Sequence, residues 1–339
     1  MRSLKTNILG RTGLPVSVLG FGCGFVGGLM VQGSAAEQEA AVALCADLGV
    51  SYFDTAPHYG NGRSEENLGR ALSRSKSKPL VGTKVMVPTA KDANIPQAIR
   101  ASVELSLGRL GIGRIELLQV HNGISSNPVG NGLRPETVLE EIVPELKSLQ
   151  AAGKIRFIGM SGLGETASIA GLIASGEFDT AQLVLSLLNP SAALPAGSTC
   201  EAQDYEGILT SAEHKRMGTI GIRALAGGAL VGTADRHPIA MAKVDPIGSS
   251  TSYAEDVDKA RLFTPLVKEG FADSLLDLAI RYSISFGLST VVLGFSSLDH
   301  VKAAAKSVER GPLSSEILAR IEAIRTRSRS RREQTSGHA

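Results

Sequence analysis

Four residues have the types and spacing for acid–base chemistry: Asp54, Tyr59, Lys84 and His121. Asp54, Lys84 and His121 each close a short apolar run, at 52–54, 80–84 and 115–121, where a polar residue is otherwise out of place. Tyr59 stands five residues beyond Asp54. A phenol with an ordinary pKa of about 10 is a feeble acid at neutral pH. An ammonium beside it favours the phenolate and lowers that value; a carboxylate beside the lysine keeps the ammonium charged and fixed. A histidine within hydrogen-bond reach orients a carbonyl oxygen or relays a proton. Such a set suits a reaction that delivers a proton to an oxygen gaining negative charge, and carbonyl reduction by hydride from a nicotinamide is one. Singly, such an Asp is more often a helix cap, such a Lys a solvated cation and such a His a structural residue.

The four converge only if the elements carrying them do. Short β-branched runs recur at 17–20, 52–54, 80–84, 115–121, 155–160, 181–186, 219–223 and 291–294, apolar on both faces as buried parallel strands are. Segments of helical period separate them, at 36–48, 64–73, 95–110, 136–151, 165–175, 206–216, 271–286 and 299–308. Ser34 and Glu37 make a capping-box pair ahead of the first. Eight βα units predict an α/β protein, a (β/α)8 TIM barrel with its site at the C-terminal ends of the strands. Residues 4–9 and 15–19 flank the turn Gly10-Arg-Thr-Gly13 and predict an N-terminal β-hairpin plugging one end. Pro144 predicts a kink or break in the fourth helical segment. The interval between the seventh and eighth strands is too long for one helix and should hold a loop near 227–252 and two helices, one of them extra to the regular pattern. Residues 317–339, with the run Arg325-Thr-Arg-Ser-Arg-Ser-Arg-Arg332, predict a surface helix fraying into a basic tail. No linker divides the chain, so one domain over 1–339 is expected, with about 318–339 partly tail.

Composition narrows the class. The 339 residues are 43% hydrophobic and 20% charged, enough apolar mass for a core of this size. A net charge of +2 is too near zero for nucleic acid or an anionic membrane as main partner. No run approaches the ~20 apolar residues of a membrane span, and residues 1–13 lack a secretory h-region, so the expected location is cytoplasmic. Cys23, Cys45 and Cys200 are widely spaced and odd in number, which predicts core thiols rather than a disulfide framework or zinc ribbon. No H-x-x-x-H or paired acidic motif favours a metal. His58, next to Tyr59, reads as an exposed loop residue ahead of the alternative that it lines the mouth of the pocket, and His214, His237 and His338 read as surface residues. Gly22-Cys-Gly-Phe-Val-Gly27 matches G-x-G-x-x-G, but in the dinucleotide fingerprint a helix starts at the glycines. Here residues 28–33 read as loop ahead of the Ser34 cap, so a glycine-rich loop that lets a ligand approach the backbone is the better reading.

Over nearly its whole length the chain resembles the aldo-keto reductases. The motifs are Leu9-Gly-Arg-Thr-Gly-Leu14, Val16-Ser-Val-Leu-Gly-Phe-Gly22, Phe53-Asp-Thr-Ala-Pro-His-Tyr-Gly60 with Ser64-Glu-Glu-Asn-Leu-Gly69, Gly82-Thr-Lys84, Leu117-Leu-Gln-Val-His-Asn122, Gly153-Lys-Ile-Arg-Phe-Ile-Gly-Met-Ser161 and Val292-Leu-Gly-Phe-Ser-Ser297. The resemblance implies a barrel that binds NADP(H) or NAD(H) without a Rossmann domain. It implies Tyr59 as proton donor, Lys84 and Asp54 tuning it, and His121 orienting the substrate carbonyl. The versions at 53–60 and 117–122 look like the branch that handles sugars and aldoses.

For the cofactor, the resemblance implies Gly22, with Ser161 and Gln182 at the nicotinamide carboxamide, although Gly162 stands where the family usually has Asn. Arg223 falls where many members stack an aromatic on the nicotinamide, and a guanidinium can also stack on a planar ring; a salt-bridged strand-end residue is the plainer reading. Gly294, Ser296, Ser297 and His300 fall at the adenosine-phosphate end, with Lys302 near. Many NADP-dependent members carry an Arg at Ser296, and Gln and Asn at His300 and Ala304, yet NADP(H) is favoured over NAD(H). The expected partner is a small carbonyl or sugar, with oligomeric state open. Leu29, Met30, Ile124 and Leu194 are candidate apolar walls. Two other classes compete: a cofactor-binding regulatory subunit of the same fold with little turnover, and a lyase or aldolase using Lys84 as a Schiff-base nucleophile.

Overall fold

The computed structural model describes residues 3–197 and 202–336; Cys200 and His338 lie outside them. Strands β1 (Thr6–Ile8) and β2 (Pro15–Ser17) form an antiparallel hairpin. The remaining strands are β3 (Leu19–Gly22), β4 (Tyr52–Asp54), β5 (Leu80–Val85), β6 (Ile115–Val120), β7 (Ile155–Ser161), β8 (Thr180–Val184), β9 (Gly218–Ile222) and β10 (Thr290–Gly294). All eight pair in parallel, in chain order, and β10 closes on β3. The fold is thus the expected (β/α)8 barrel with its hairpin. Leu9 and Val16 at the hairpin pack on Tyr52, Leu117 and Ile220, forming the barrel floor.

Alternation along each strand decides what enters the barrel. In β4, Tyr52 and Asp54 share the inner face, and the Tyr52 hydroxyl donates to Asp54 Oδ1 at 3.1 Å. Phe53 points the other way and stacks on Phe21, ring centroids 5.2 Å apart. Gly82 of β5 lies opposite Asp54. A Cβ there would stand 2.5 Å from the Tyr52 hydroxyl, so only glycine leaves room for the inward tyrosine. The strands are therefore not apolar on both faces, as their sequence suggested. Above an apolar floor the inner face turns polar, with Asp54, Lys84, Gln119 and Gln182 all buried.

Most helical segments form where the periodicity placed them. The Ser34–Glu37 capping box opens helix Ala35–Leu48. Four details differ. Residues 29–32 are not loop but a one-turn helix, Leu29–Gln32, ahead of that cap. Pro144 does not break its helix: a π-helical turn, Val138–Ile142, runs directly into Val143–Ala151. The wider turn precedes a residue that has no N–H to give, consistent with Pro144 sitting in the first turn of the next segment. Between β9 and β10 there are three α-helices rather than two, Tyr253–Arg261, Thr264–Lys268 and Leu275–Ser283. Finally, the C-terminal stretch is one helix, Ser315–Ser336. It is anchored rather than superficial: Ile317 and Ile321 join a second apolar cluster, and Arg325 donates to the Tyr282 hydroxyl at 3.1 Å with its guanidinium over that ring. Among the described residues, no helix is long and apolar enough to cross a membrane.

Candidate active site

The C-terminal ends of the strands open on a cavity of about 820 Å³. Asp54, Tyr59 and His121 line it, with Lys84 directly behind. Lys84 sits one residue before the end of β5, and His121 follows the last residue of β6. Period-two alternation through Leu117, Gln119 and His121 puts all three on one face. Tyr59 is held by the loop that leads into helix Arg63–Ser73, whose Ser64 hydroxyl donates to the Cys23 carbonyl at 2.9 Å.

Lys84 is 1% exposed and Asp54 is 4% exposed. The ammonium donates to Asp54 Oδ2, to the Thr55 carbonyl at 2.9 Å and toward the Tyr59 hydroxyl at 3.4 Å. Asp54 Oδ1 accepts from the Tyr52 hydroxyl, from Gln119 Nε2 at 3.0 Å and from Gln182 Nε2 at 2.8 Å. Four donors thus saturate one carboxylate, which is what lets a charge pair survive burial. Gln119 and Tyr52 escaped the sequence reading, although each lies two residues before a polar residue already singled out.

Burial presses the Lys84 ammonium down, but Asp54 and Tyr59 together outweigh it and hold its pKa above the ordinary lysine value. An amine whose hydrogens are directed at Asp54, Thr55 and Tyr59 is poorly placed as a Schiff-base nucleophile, which speaks against the lyase reading. Burial also dominates at Tyr59. It raises the phenol above its usual 10, and the Lys84 charge only partly offsets it. The expectation of a lowered phenol is corrected here: desolvation of a phenolate exceeds one neighbouring charge. His121 is pushed down to about 2 by burial first and Lys84 next, so it is neutral at any working pH.

His58 is not an exposed loop residue. Its ring lies 4.7 Å from that of Tyr59 and 4.5 Å from that of His121, and it lines the cavity. Its ring is packed between that of its own neighbour Tyr59 and that of His121 from the next-but-one strand end, a contact that no local pattern reveals. Cys23 and Cys45 are buried thiols, with burial pushing Cys45 up to about 12.

Of the expected cofactor residues, Gly22, Gln182, Arg223, Gly294, Ser296 and His300 line the cavity. Ser161 and Ser297 lie behind them. Ser161 donates to Gln182 Oε1 at 3.3 Å, and Ser297 caps helix Leu298–Glu309 by accepting from His300 N. Ser296 donates to the Gly27 carbonyl at 2.6 Å, and Lys302 pairs with Asp299 at 3.0 Å on the surface. Arg223 makes no ion pair among the described residues; it reaches the Asp245 carbonyl at 3.4 Å from a left-handed backbone (φ +60°). His237 is exposed yet lines the cavity and meets His300 edge to face at 5.8 Å. Arg236, unremarked in the sequence, ties the cavity's rim together: it donates to the carbonyls of Val26, Gly227 and Met241 and to the Tyr253 hydroxyl. The apolar walls include Phe25, Val26, Leu163, Ile222, Leu225 and Ile247. Leu29, Met30 and Ile124 are instead fully buried in the core, and Leu194 lies outside the cavity.

The profile of the aldo/keto reductase family matches residues 18–326. The chain is 27% identical to an L-galactose dehydrogenase of Arabidopsis thaliana, over 96% of this chain and 95% of that protein. It is 30% identical to a D-threo-aldose 1-dehydrogenase of Pseudomonas sp, over 61% of this chain and 71% of the relative. Among solved structures, a glycerol dehydrogenase of Gluconobacter oxydans superposes with a TM-score of 0.70 at 25% identity, covering 96% of each chain. An aldo-keto reductase of Bacillus halodurans in its holo form gives the same score at 23% identity, covering 95% of this chain and 96% of that one. The family profile takes in every strand of the barrel, and the chain belongs to the aldo/keto reductase family of oxidoreductases.

Proposed function

We propose that this enzyme moves a hydride between a nicotinamide cofactor and a carbonyl or hydroxyl carbon of a small aldose or aldehyde. Tyr59 is the proton donor and, in reverse, the acceptor. The observation that carries the reading is the Tyr59 hydroxyl itself. It stands between the buried Lys84–Asp54 pair and two neutral imidazoles, on the wall of the cavity. The sugar and polyol names of the relatives support a polyhydroxylated substrate.

The cavity fits a dinucleotide. Its volume is in the range of small-molecule sites. Gly24 leaves the backbone bare beside the Tyr59 ring, where a Cβ would already stand 3.3 Å from the phenol. The N-terminus of helix Leu298–Glu309 supplies positive potential for phosphates. Gly22, Ser161, Gln182 and Arg223 would hold the nicotinamide end, and Gly294, Ser296, Ser297 and His300 the phosphate end. We favour NADP(H) over NAD(H), because the imidazoles of His237 and His300 stand together on that side of the cavity. The cofactor supplies or takes the hydride.

The protein's own groups handle the oxygen. Neutral His121 donates a hydrogen bond to the carbonyl and fixes its direction. Tyr59 delivers its proton as negative charge grows there. Lys84 stabilises the phenolate left behind, and Asp54 keeps Lys84 charged. The test begins with titration of NADPH and NADH, followed by the cofactor's own fluorescence, since the chain has no Trp. Micromolar binding is expected, and affinities within a factor of two would remove the NADP preference. Tyr59→Phe should then bind nucleotide as before and lose at least ~10²-fold in turnover of an aldehyde panel. Near-normal turnover would take Tyr59 out of the mechanism.

A further inference from the structure

His58 and His121 present a matched pair of open nitrogens to the cavity. Their rings meet edge to face, 4.5 Å between centroids, and each also meets Tyr59, at 4.7 Å and 6.1 Å. Both line the cavity. In each ring Nδ1 is buried without a hydrogen-bond partner. A buried N–H without an acceptor is rarer and costlier than a buried lone pair. Nδ1 is therefore the bare nitrogen in both rings, and the proton sits on Nε2, the nitrogen left to meet a ligand. Burial holds both imidazoles neutral, His58 at about 4 and His121 at about 2, so neither tautomer is lost to protonation near pH 7. The site thus carries two neutral N–H donors side by side, one more than a carbonyl oxygen flanked by Tyr59 needs.

We propose that His58 is a specificity-determining residue that donates a hydrogen bond to the hydroxyl on the carbon next to the reacting carbonyl. The inference rests on the redox reading above and deepens it. With His121 on the carbonyl oxygen and His58 on its neighbour, the pair reads a 1,2-dioxygen unit. The preferred substrates are 2-hydroxyaldehydes, open-chain aldoses among them, and in reverse 1,2-diols. A plain aldehyde leaves the His58 donor facing an alkyl group and unpaired, and a site built around a hydroxyl disfavours the analogue that lacks it.

The test compares lactaldehyde with propanal, which differ by that one hydroxyl, at pH 7 with whichever of NADPH and NADH binds. The readout is the ratio of the two kcat/KM values, in which any common loss cancels. The wild type should prefer lactaldehyde, and His58→Phe should lower the ratio about tenfold, the worth of one neutral hydrogen bond in a closed site. His58→Asn, which keeps an N–H donor, should recover part of it, whereas a purely structural effect would not follow the donor. An unchanged ratio in His58→Phe, or equal losses on both substrates, overturns the proposal while leaving the redox reading intact. A wild type that binds nucleotide but reduces neither aldehyde overturns both.

Discussion

Replacing Asp54 by Asn removes one charge and almost no volume, so its effect isolates the buried pair. Asp54 accepts from four donors: Lys84 on one oxygen, and Tyr52, Gln119 and Gln182 on the other. An asparagine amide must turn its NH2 toward one of those groups. Facing three neutral donors is the worse choice, so the NH2 meets Lys84, which can accept only by giving up its proton. Breaking a buried pair in this way costs about 3–5 kcal/mol. The unfolding entropy of a 339-residue chain is about 0.7 kcal/mol/K, so the melting temperature at pH 7 should fall by about 4–7 °C. The sign of the pH dependence follows. In the wild type Lys84 is held above its ordinary value, so its stabilisation is complete below about pH 10.4 and fades only as pH rises through the raised value. In the variant the native lysine is neutral while the unfolded one is charged. The deficit then shrinks by about 1.4 kcal/mol per pH unit as pH approaches 10.4. Calorimetric melts at pH 7 and pH 10 are the assay. A melting temperature within about 1 °C of wild type at pH 7, or a deficit equal at both pH values, would refute the charge-pair argument.

Because burial keeps the phenol protonated well beyond neutrality, reduction should be flat from pH 6 to 9, while oxidation should climb with pH as the base form appears. Lys84→Met should push that climb to higher pH, since the group that opposes the burial effect is gone; a reduction rate that falls between pH 6 and 8 would contradict this. Gly24→Ala, at a backbone any residue can adopt, places a Cβ 3.3 Å from the Tyr59 ring and should displace the hydroxyl by a few tenths of an ångström. A kcat loss of about tenfold with nucleotide affinity nearly kept is expected, and an unchanged kcat would show that Tyr59 tolerates displacement.

Much of this was legible in the chain, and what was not has a physical reason. β-branched runs separated by helical periods gave the barrel, because eight such units have one closed arrangement. Three polar residues at the ends of those runs gave the site, because strand ends face the mouth. Parity along a strand was also within reach: once Asp54 points inward, Tyr52 does, and once His121 does, Gln119 does. That step was missed because the runs looked apolar on both faces. The position of His58 was half legible: its place next to Tyr59 raised the pocket mouth as an alternative, but only the ring of His121, brought in from another strand end, decides it. The same holds for Leu29, Met30 and Ile124, whose burial depends on helices packed from elsewhere in the chain.

Burial is the quantity that organises this site, and it works against every charge in it. It raises the phenol, depresses both imidazoles and presses on the ammonium. Three of these effects suit proton donation: a phenol that keeps its proton, and two imidazoles that stay neutral donors instead of competing acids. The fourth does not, since a neutral Lys84 could not stabilise a phenolate. The polar layer below the mouth answers that one effect. Gln119, Gln182 and Tyr52 all donate to the Asp54 carboxylate, and that carboxylate holds the lysine charged. The room for them comes from Gly82, the strand residue without a side chain opposite Asp54. The mouth can therefore be dry enough to keep the phenol acidic in role and still retain one cation behind it, because the cost of that cation is met one layer deeper in the barrel.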